Sequence, residues 1–70
     1  MGIERVTVPI ARKMAKMTQA DLAAVCGVSV GTVSSWENYK TEPTVSQAIK
    51  IAQAVNRQYD EIIFLPEVTV

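Results

Sequence analysis

The chain has 70 residues, a single cysteine, no histidine, and seven basic side chains balanced by seven acidic ones. That length holds one domain at most, and a core this small is marginal without local helical packing or oligomerisation. One cysteine excludes an internal disulfide, and without histidine a zinc cluster is not expected, so no metal and no cofactor are anticipated.

Hydrophobic residues make up 49% of the chain, which predicts a folded globule rather than a disordered tail. No apolar run approaches the roughly 20 residues of a membrane helix. The start, MGIERVTVP, lacks the basic-then-apolar layout of a signal peptide, so a cytoplasmic location is expected. Zero net charge argues against nucleic acid, whose partners usually carry a basic excess. The distribution is polarised, however. Residues 1–20 carry Arg5, Arg12, Lys13 and Lys16 against Glu4, whereas residues 59–70 carry only Asp60, Glu61 and Glu67.

Ile3–Val8 alternates apolar and polar residues and predicts a short strand. Pro9 suits a first helical turn, with Thr7 as its cap and Ile10–Lys16 as the first helix; Met17 is expected to pack after it. TQADLAAVC, Thr18–Cys26, is the second helix. Thr18 caps it and Asp21, three residues on, completes a capping-box-like pair, although Asp is shorter than the usual Glu or Gln. Gly27-Val28 joins it at a steep angle to a third helix, Ser29–Asn38, capped by Ser29. Leu22, Ala23 and Cys26 share one face of the second helix. Val33 and Trp36 share one face of the third, while Val30, Gly31, Ser34 and Ser35 form a small, uncharged opposite face. Such a helix suits a narrow space, of which the DNA major groove is one.

Tyr39–Thr44 is a connection, because Pro43 disfavours helix in Glu42. Thr44 caps a fourth helix over 45–55, whose Val45, Ala48, Ile51, Ala52 and Val55 follow helical periodicity. Asn56 occupies the place of a left-handed C-cap. Tyr59–Phe64 is a short fifth helix, stopped before Pro66. The closing EVTV predicts a strand that pairs with IERVTV of the same chain or with a partner copy.

TQADLA, GVS, TVSSWEN, the Lys40 and Pro43 turn, AIKIAQAV and the DEI segment together resemble the XRE-type helix-turn-helix regulators, which include the Cro and repressor proteins of temperate phages. The likeness runs from about Arg12 to Phe64. The VTV before the first helix and the FLP near the end look like short phage-associated regulators of Gram-positive bacteria. The resemblance implies an all-α, five-helix, lambda-repressor-like domain over residues 1–70, with its helix-turn-helix at about 18–38. It implies that Gln19, beside Thr18, holds a DNA phosphate and braces the recognition helix. Val30, Gly31, Ser34 and Ser35 would face base edges, with Ser29 and Thr32 near the backbone. Asn38, Lys40 and Thr41 would contact phosphates, and Arg12 and Glu37 would form a structural ion pair.

This chain departs from that pattern at the base-reading positions, where many relatives place Arg, Lys or Gln for bidentate contacts. Val30 offers a thymine methyl a contact, Ser34 or Ser35 offers one hydrogen bond, and Gly31 offers no side chain. Specificity would lean on close approach, water and DNA shape. Tyr39 replaces a frequent Gly, so a left-handed turn there would be strained.

Each of these residues has a plainer role to weigh. Trp36 is assigned to the core rather than to a base stack, because it lies one turn from Val33. Cys26 is a small buried hydrophobe rather than a nucleophile. Ser34 and Ser35 are also ordinary exposed residues, Lys40 an ordinary loop lysine, and Gln19 an ordinary helix start. Asp60 and Glu61 are adjacent and face apart, so they make no catalytic pair, and no enzyme is expected.

The sequence is therefore expected to encode a DNA-binding transcriptional regulator. Ile62, Ile63, Phe64 and Leu65 are too apolar for one small helix to hide, so some are expected to finish the core and some to meet a second subunit of a two-fold dimer. Two alternatives remain open: a helix-turn-helix used as a protein-interaction module, and an antitoxin that binds both a partner and DNA. For the latter, Glu67–Val70 leaves little room for a toxin-binding tail.

Overall fold

The computed structural model describes residues 5–64. They form strand β1 (Val6–Thr7), helices α1 (Val8–Met14), α2 (Gln19–Cys26), α3 (Val30–Glu37) and α4 (Val45–Ala54), a 3-10 turn (Tyr59–Glu61), and strand β2 (Ile62–Ile63). Among the described residues there are thus four α-helices, not five. The expected fifth helix over 59–64 is a single tight turn that runs into a strand.

Local chemistry sets the helix starts. At α2, the Asp21 N–H donates to Thr18 Oγ1 at 3.0 Å and the Thr18 N–H donates to Asp21 Oδ2 at 2.8 Å, a complete capping box even with the shorter acid. These bonds to the charged form hold the Asp21 carboxyl below its ordinary pKa. At α4 the same box joins Thr44 and Gln47, with bonds of 3.1 and 2.8 Å. At α3 the Thr32 N–H donates to Ser29 Oγ at 3.1 Å. Thr7 stands at the cap of α1 but makes no side-chain capping bond, and α1 begins two residues earlier than expected, which leaves Pro9 in its first turn.

The helix ends share one device. Lys16, Gly27, Tyr39 and Asn56 all adopt left-handed backbone, with φ of 60, 70, 59 and 58°. After each, the next N–H reaches a carbonyl five residues back: Met17 to Arg12, Val28 to Ala23, Lys40 to Ser35 and Arg57 to Ala52, at 2.9–3.1 Å. This is the Schellman closure, which satisfies carbonyls the helix leaves open. Only Gly27 takes that conformation at no steric cost. Tyr39 does so at a cost of roughly 1–2 kcal/mol, partly offset because glycine would raise the entropy of the unfolded chain. Tyr39→Gly is therefore expected to raise stability by about 0.5–1 kcal/mol, seen as a higher midpoint in a thermal melt. A lower midpoint would show that contacts of the tyrosine ring outweigh the strain.

The core gathers Val8 and Ala11 of α1, Leu22, Ala23 and Cys26 of α2, Val33 and Trp36 of α3, Ile51 and Ala52 of α4, Val55, and Ile62 of β2. Leu22, Val33 and Ile51 are wholly enclosed. Met17 packs against the edge of this cluster, as expected. Cys26 is a core residue whose thiol pKa is pushed up by burial. Val45, the first residue of α4, departs from its periodicity: it is 69% exposed.

β1 and β2 pair in parallel, Val6 with Ile62 and Thr7 with Ile63. The segment that pairs with VTV is therefore the β-branched Ile62-Ile63. Residues 67–70, expected to fill that role, lie outside the described residues, as do residues 3 and 4 of the first strand. Val8, assigned to that strand, instead opens α1. The pairing ties the two ends of the described chain together, so the whole helical segment acts as the crossover that parallel strands require. Burial follows from it: Ile62 enters the core and Ile63 is half-buried.

Candidate nucleic-acid interface

α2 and α3 have eight residues each, and the connection between them is only Gly27, Val28 and the capping Ser29. Val28 packs against the core and anchors the turn. Val33 and Trp36 hold the inner face of α3, leaving Val30 and Gly31 exposed at its start and Ser34 and Ser35 half-buried along its flank.

A second linkage fixes α3 at its far end. Arg12 Nε donates to Glu37 Oε2 at 2.7 Å and Nη2 donates to Oε1 at 3.3 Å, while Nη1 donates to the Met17 carbonyl at 2.9 Å. Gln19 Nε2 donates to the same Glu37 Oε1 at 3.0 Å. Glu37 thereby joins α1, the start of α2 and the end of α3. The Arg12 and Glu37 side chains are 11% and 7% exposed, so their charges are poorly screened. A primary amide carries two hydrogens, so Gln19 can brace Glu37 with one and keep the other for an external acceptor.

Other residues singled out from the sequence are partly engaged within the protein. The Ser29 and Thr32 hydroxyls lie 3.0 Å apart and share a hydrogen bond. The Asn38 amide folds back onto α3, donating to the Ser34 carbonyl at 2.9 Å and meeting Ser34 Oγ at 3.4 Å. Thr18 is committed to its cap. Lys40 and Thr41 are exposed in the loop after α3. Sequence reasoning missed two features: the Met17 carbonyl as the third partner of Arg12, and the inward turn of Asn38. Neither has a sequence signal beyond its position at a helix end.

The helix-turn-helix family model matches residues 10–62, from α1 to the first residue of β2. The chain belongs to the XRE-type helix-turn-helix family. Comparison with curated proteins gives no match. The XRE-type family is a DNA-binding regulatory one and generally non-enzymatic. In helix-turn-helix folds the second helix of the pair, the position α3 occupies here, is the one whose N-terminal residues meet base edges.

The helix pair carries few charges. Between residues 17 and 39 the only charged side chains are Asp21 and Glu37, one in a cap and the other in the ion pair. The nearest cations are Lys16 and Lys40, both exposed. Among the described residues no cluster of three or more His, Cys, Asp or Glu is placed to hold a metal, and no helix is long and apolar enough to cross a membrane.

Proposed function

We propose that this XRE-type protein is a sequence-specific transcriptional regulator of the Cro and repressor kind. It acts as a homodimer in the cytoplasm, with α3 in the major groove of an operator; a phage origin goes with this reading. The observation that carries it is the pair of capped eight-residue helices closed at Gly27, lying within the family match. In the proposed complex, Thr18, Gln19, Ser29 and Thr32 approach one phosphate strand through helix N-termini, where backbone N–H groups favour anions. Asn38, Lys40 and Thr41 approach the other end, and Val30, Gly31, Ser34 and Ser35 face base edges. Such contacts position the protein and leave sequence to be read in the groove. Half-buried Ile63 and Phe64 supply the dimer contact, with Leu65 beyond the described residues. Ile62 is already spent on the core. Two recognition helices would then lie about 34 Å apart.

A specific observation favours a second reading. A helix pair without a single cation between residues 17 and 39 also suits a fold that binds a protein partner, as an interaction module or an antitoxin does. Fold alone does not choose between them.

Binding to the DNA flanking the protein's own gene, titrated with salt against a random duplex, decides the matter. The regulator reading expects preference for the flanking DNA and a log–log salt slope of about −0.9 for each phosphate neutralised. With so few cations nearby, that slope should be shallow. Gln19→Ala is expected to weaken binding on every sequence, and Ser34→Ala or Ser35→Ala to change the preference. Undetectable binding to both duplexes at low salt would remove the regulator reading and leave the interaction module.

A further inference from the structure

Met14, the last residue of α1, is 58% exposed. Its sulfur is nevertheless engaged: Arg57 Nη2 donates to Met14 Sδ at 3.4 Å, across 43 residues of chain. The same guanidinium reaches Glu61 through Nη1, 3.6 Å from Oε2. Glu61 in turn accepts the Gln58 N–H through Oε1 at 2.9 Å, closing the 3-10 turn that launches β2. One arginine thus clasps the end of α1 to that turn. The thioether is the weak link of the clasp, because sulfur is a poor acceptor for a charged donor.

The other described sulfurs are better protected. Met17 packs against the core cluster, and Cys26 lies within it. Burial also pushes the Cys26 thiol pKa up, so little of the reactive thiolate is present. Met14 is therefore the described sulfur that a dissolved oxidant meets first. Oxidation harms a methionine that sits among apolar side chains, since it makes the side chain polar. Met14 stands outside the core, and its neighbour is a cation.

We propose that Met14 is an oxidation site whose sulfoxide is held by Arg57, so that a hydroperoxide tightens the clasp between α1 and the turn before β2. The sulfur attacks the terminal oxygen of the peroxide. The S–O bond forms as the O–O bond breaks, and the sulfur gives up two electrons to the peroxide. The second oxygen leaves as hydroxide, takes the proton of the new S–OH group and departs as water. The sulfoxide oxygen is a strong acceptor, and its bond to the guanidinium is charge-assisted where that of the thioether was weak. The inference concerns the end of the fold where β2 begins, and it stands whether or not α3 meets DNA.

The test treats the full chain with hydrogen peroxide at about pH 5, where thiols stay protonated. Peptide mass spectrometry follows each methionine separately. Met14 should gain one oxygen at least about five-fold faster than Met17, in line with its exposure. The reaction is stopped while Met17 is unmodified, and the protein is melted. The melting temperature should rise by about 2–4 °C, the size expected of one partly exposed bond to a charged group in a chain of this length. Arg57→Ala should show no rise on oxidation, and Met14→Leu treated in the same way should melt as before. Reduction by methionine sulfoxide reductases, one for each epimer, should return the parent to its original melt.

Met17 gaining oxygen as fast as Met14 would overturn the proposal. So would a melt of the oxidised parent that is unchanged or lowered, or a rise that survives in Arg57→Ala, in Met14→Leu or after reduction. The Arg57 side chain is 23% exposed and outside the core cluster, so its variant is expected to fold. If it does not, the parent compared with Met14→Leu decides alone.

Discussion

Glu37→Ala is expected to destabilise the domain by about 3 kcal/mol, the low end for breaking a poorly screened ion pair by removing one partner. The loss exceeds one bond because three donors converge on this carboxylate: Arg12 Nε, Arg12 Nη2 and Gln19 Nε2. Without it the guanidinium keeps only the Met17 carbonyl, at a site with little access to water. For a chain of this length 1 kcal/mol moves the melting temperature by about 4–8 °C, so a fall of about 12–24 °C is expected by circular dichroism. The sign of the charge term is testable in the same series. Arg12→Met with Glu37→Leu should recover most of the lost stability, because replacing both partners leaves no buried charge unpaired. The double variant should nevertheless bind DNA less well than its stability implies, since Gln19 has lost its brace. A melt for Glu37→Ala within about 3 °C of the parent would show that solvent screens the site.

Trp36→Ala should be more severe, at about 3–5 kcal/mol. A domain of this size rarely has more than about 3–5 kcal/mol in total, so the variant is expected to be largely unfolded at 25 °C. Trp36 is 3% exposed and lies in one cluster with Val33, Leu22 and Ile51; no other single side chain of α3 fills as much of that space. Trp36→Phe should remain folded and lose only part of the stability. The same residue is the protein's one tryptophan, so its fluorescence reports the outcome directly. A core indole emits at short wavelength, resists quenching by iodide, and does not respond to added DNA. An indole that is quenched readily, or whose emission shifts on DNA addition, would place Trp36 at the interface instead.

The helices were legible because their determinants are local. A threonine followed three residues later by Asp or Gln forms its box whatever the rest of the chain does, and Thr18 and Thr44 behave accordingly. The core faces of α2 and α3 followed from 3.6-residue periodicity, which placed Leu22, Cys26, Val33 and Trp36 correctly. Periodicity misled at Val45, because it assigns a face to a residue without knowing where the neighbouring helix ends. It misled again at Ile62-Ile63. An apolar run after a tight turn satisfies helix and strand patterns equally, and only a partner strand decides between them.

The outward face of α3 was legible as small and uncharged, but its use was not. Sequence spacing puts Asn38 in the loop where phosphate contacts are expected; the fold turns its amide back to Ser34. The sequence has a glycine at position 31; only the fold shows that an alanine would have fitted.

By itself the sequence determined where each helix of the helix-turn-helix begins, which faces are apolar, and that the outward face of α3 carries no long polar side chain. Those are properties of residues within a few positions of one another. Tertiary structure alone decided that β1 pairs with β2 in parallel, that Gln19 joins Arg12 on the Glu37 carboxylate, and that Arg12 also reaches the Met17 carbonyl. The first two depend on groups far apart in the chain. Their distances are set by how four short helices pack around Leu22, Val33 and Ile51, and no local pattern encodes that packing.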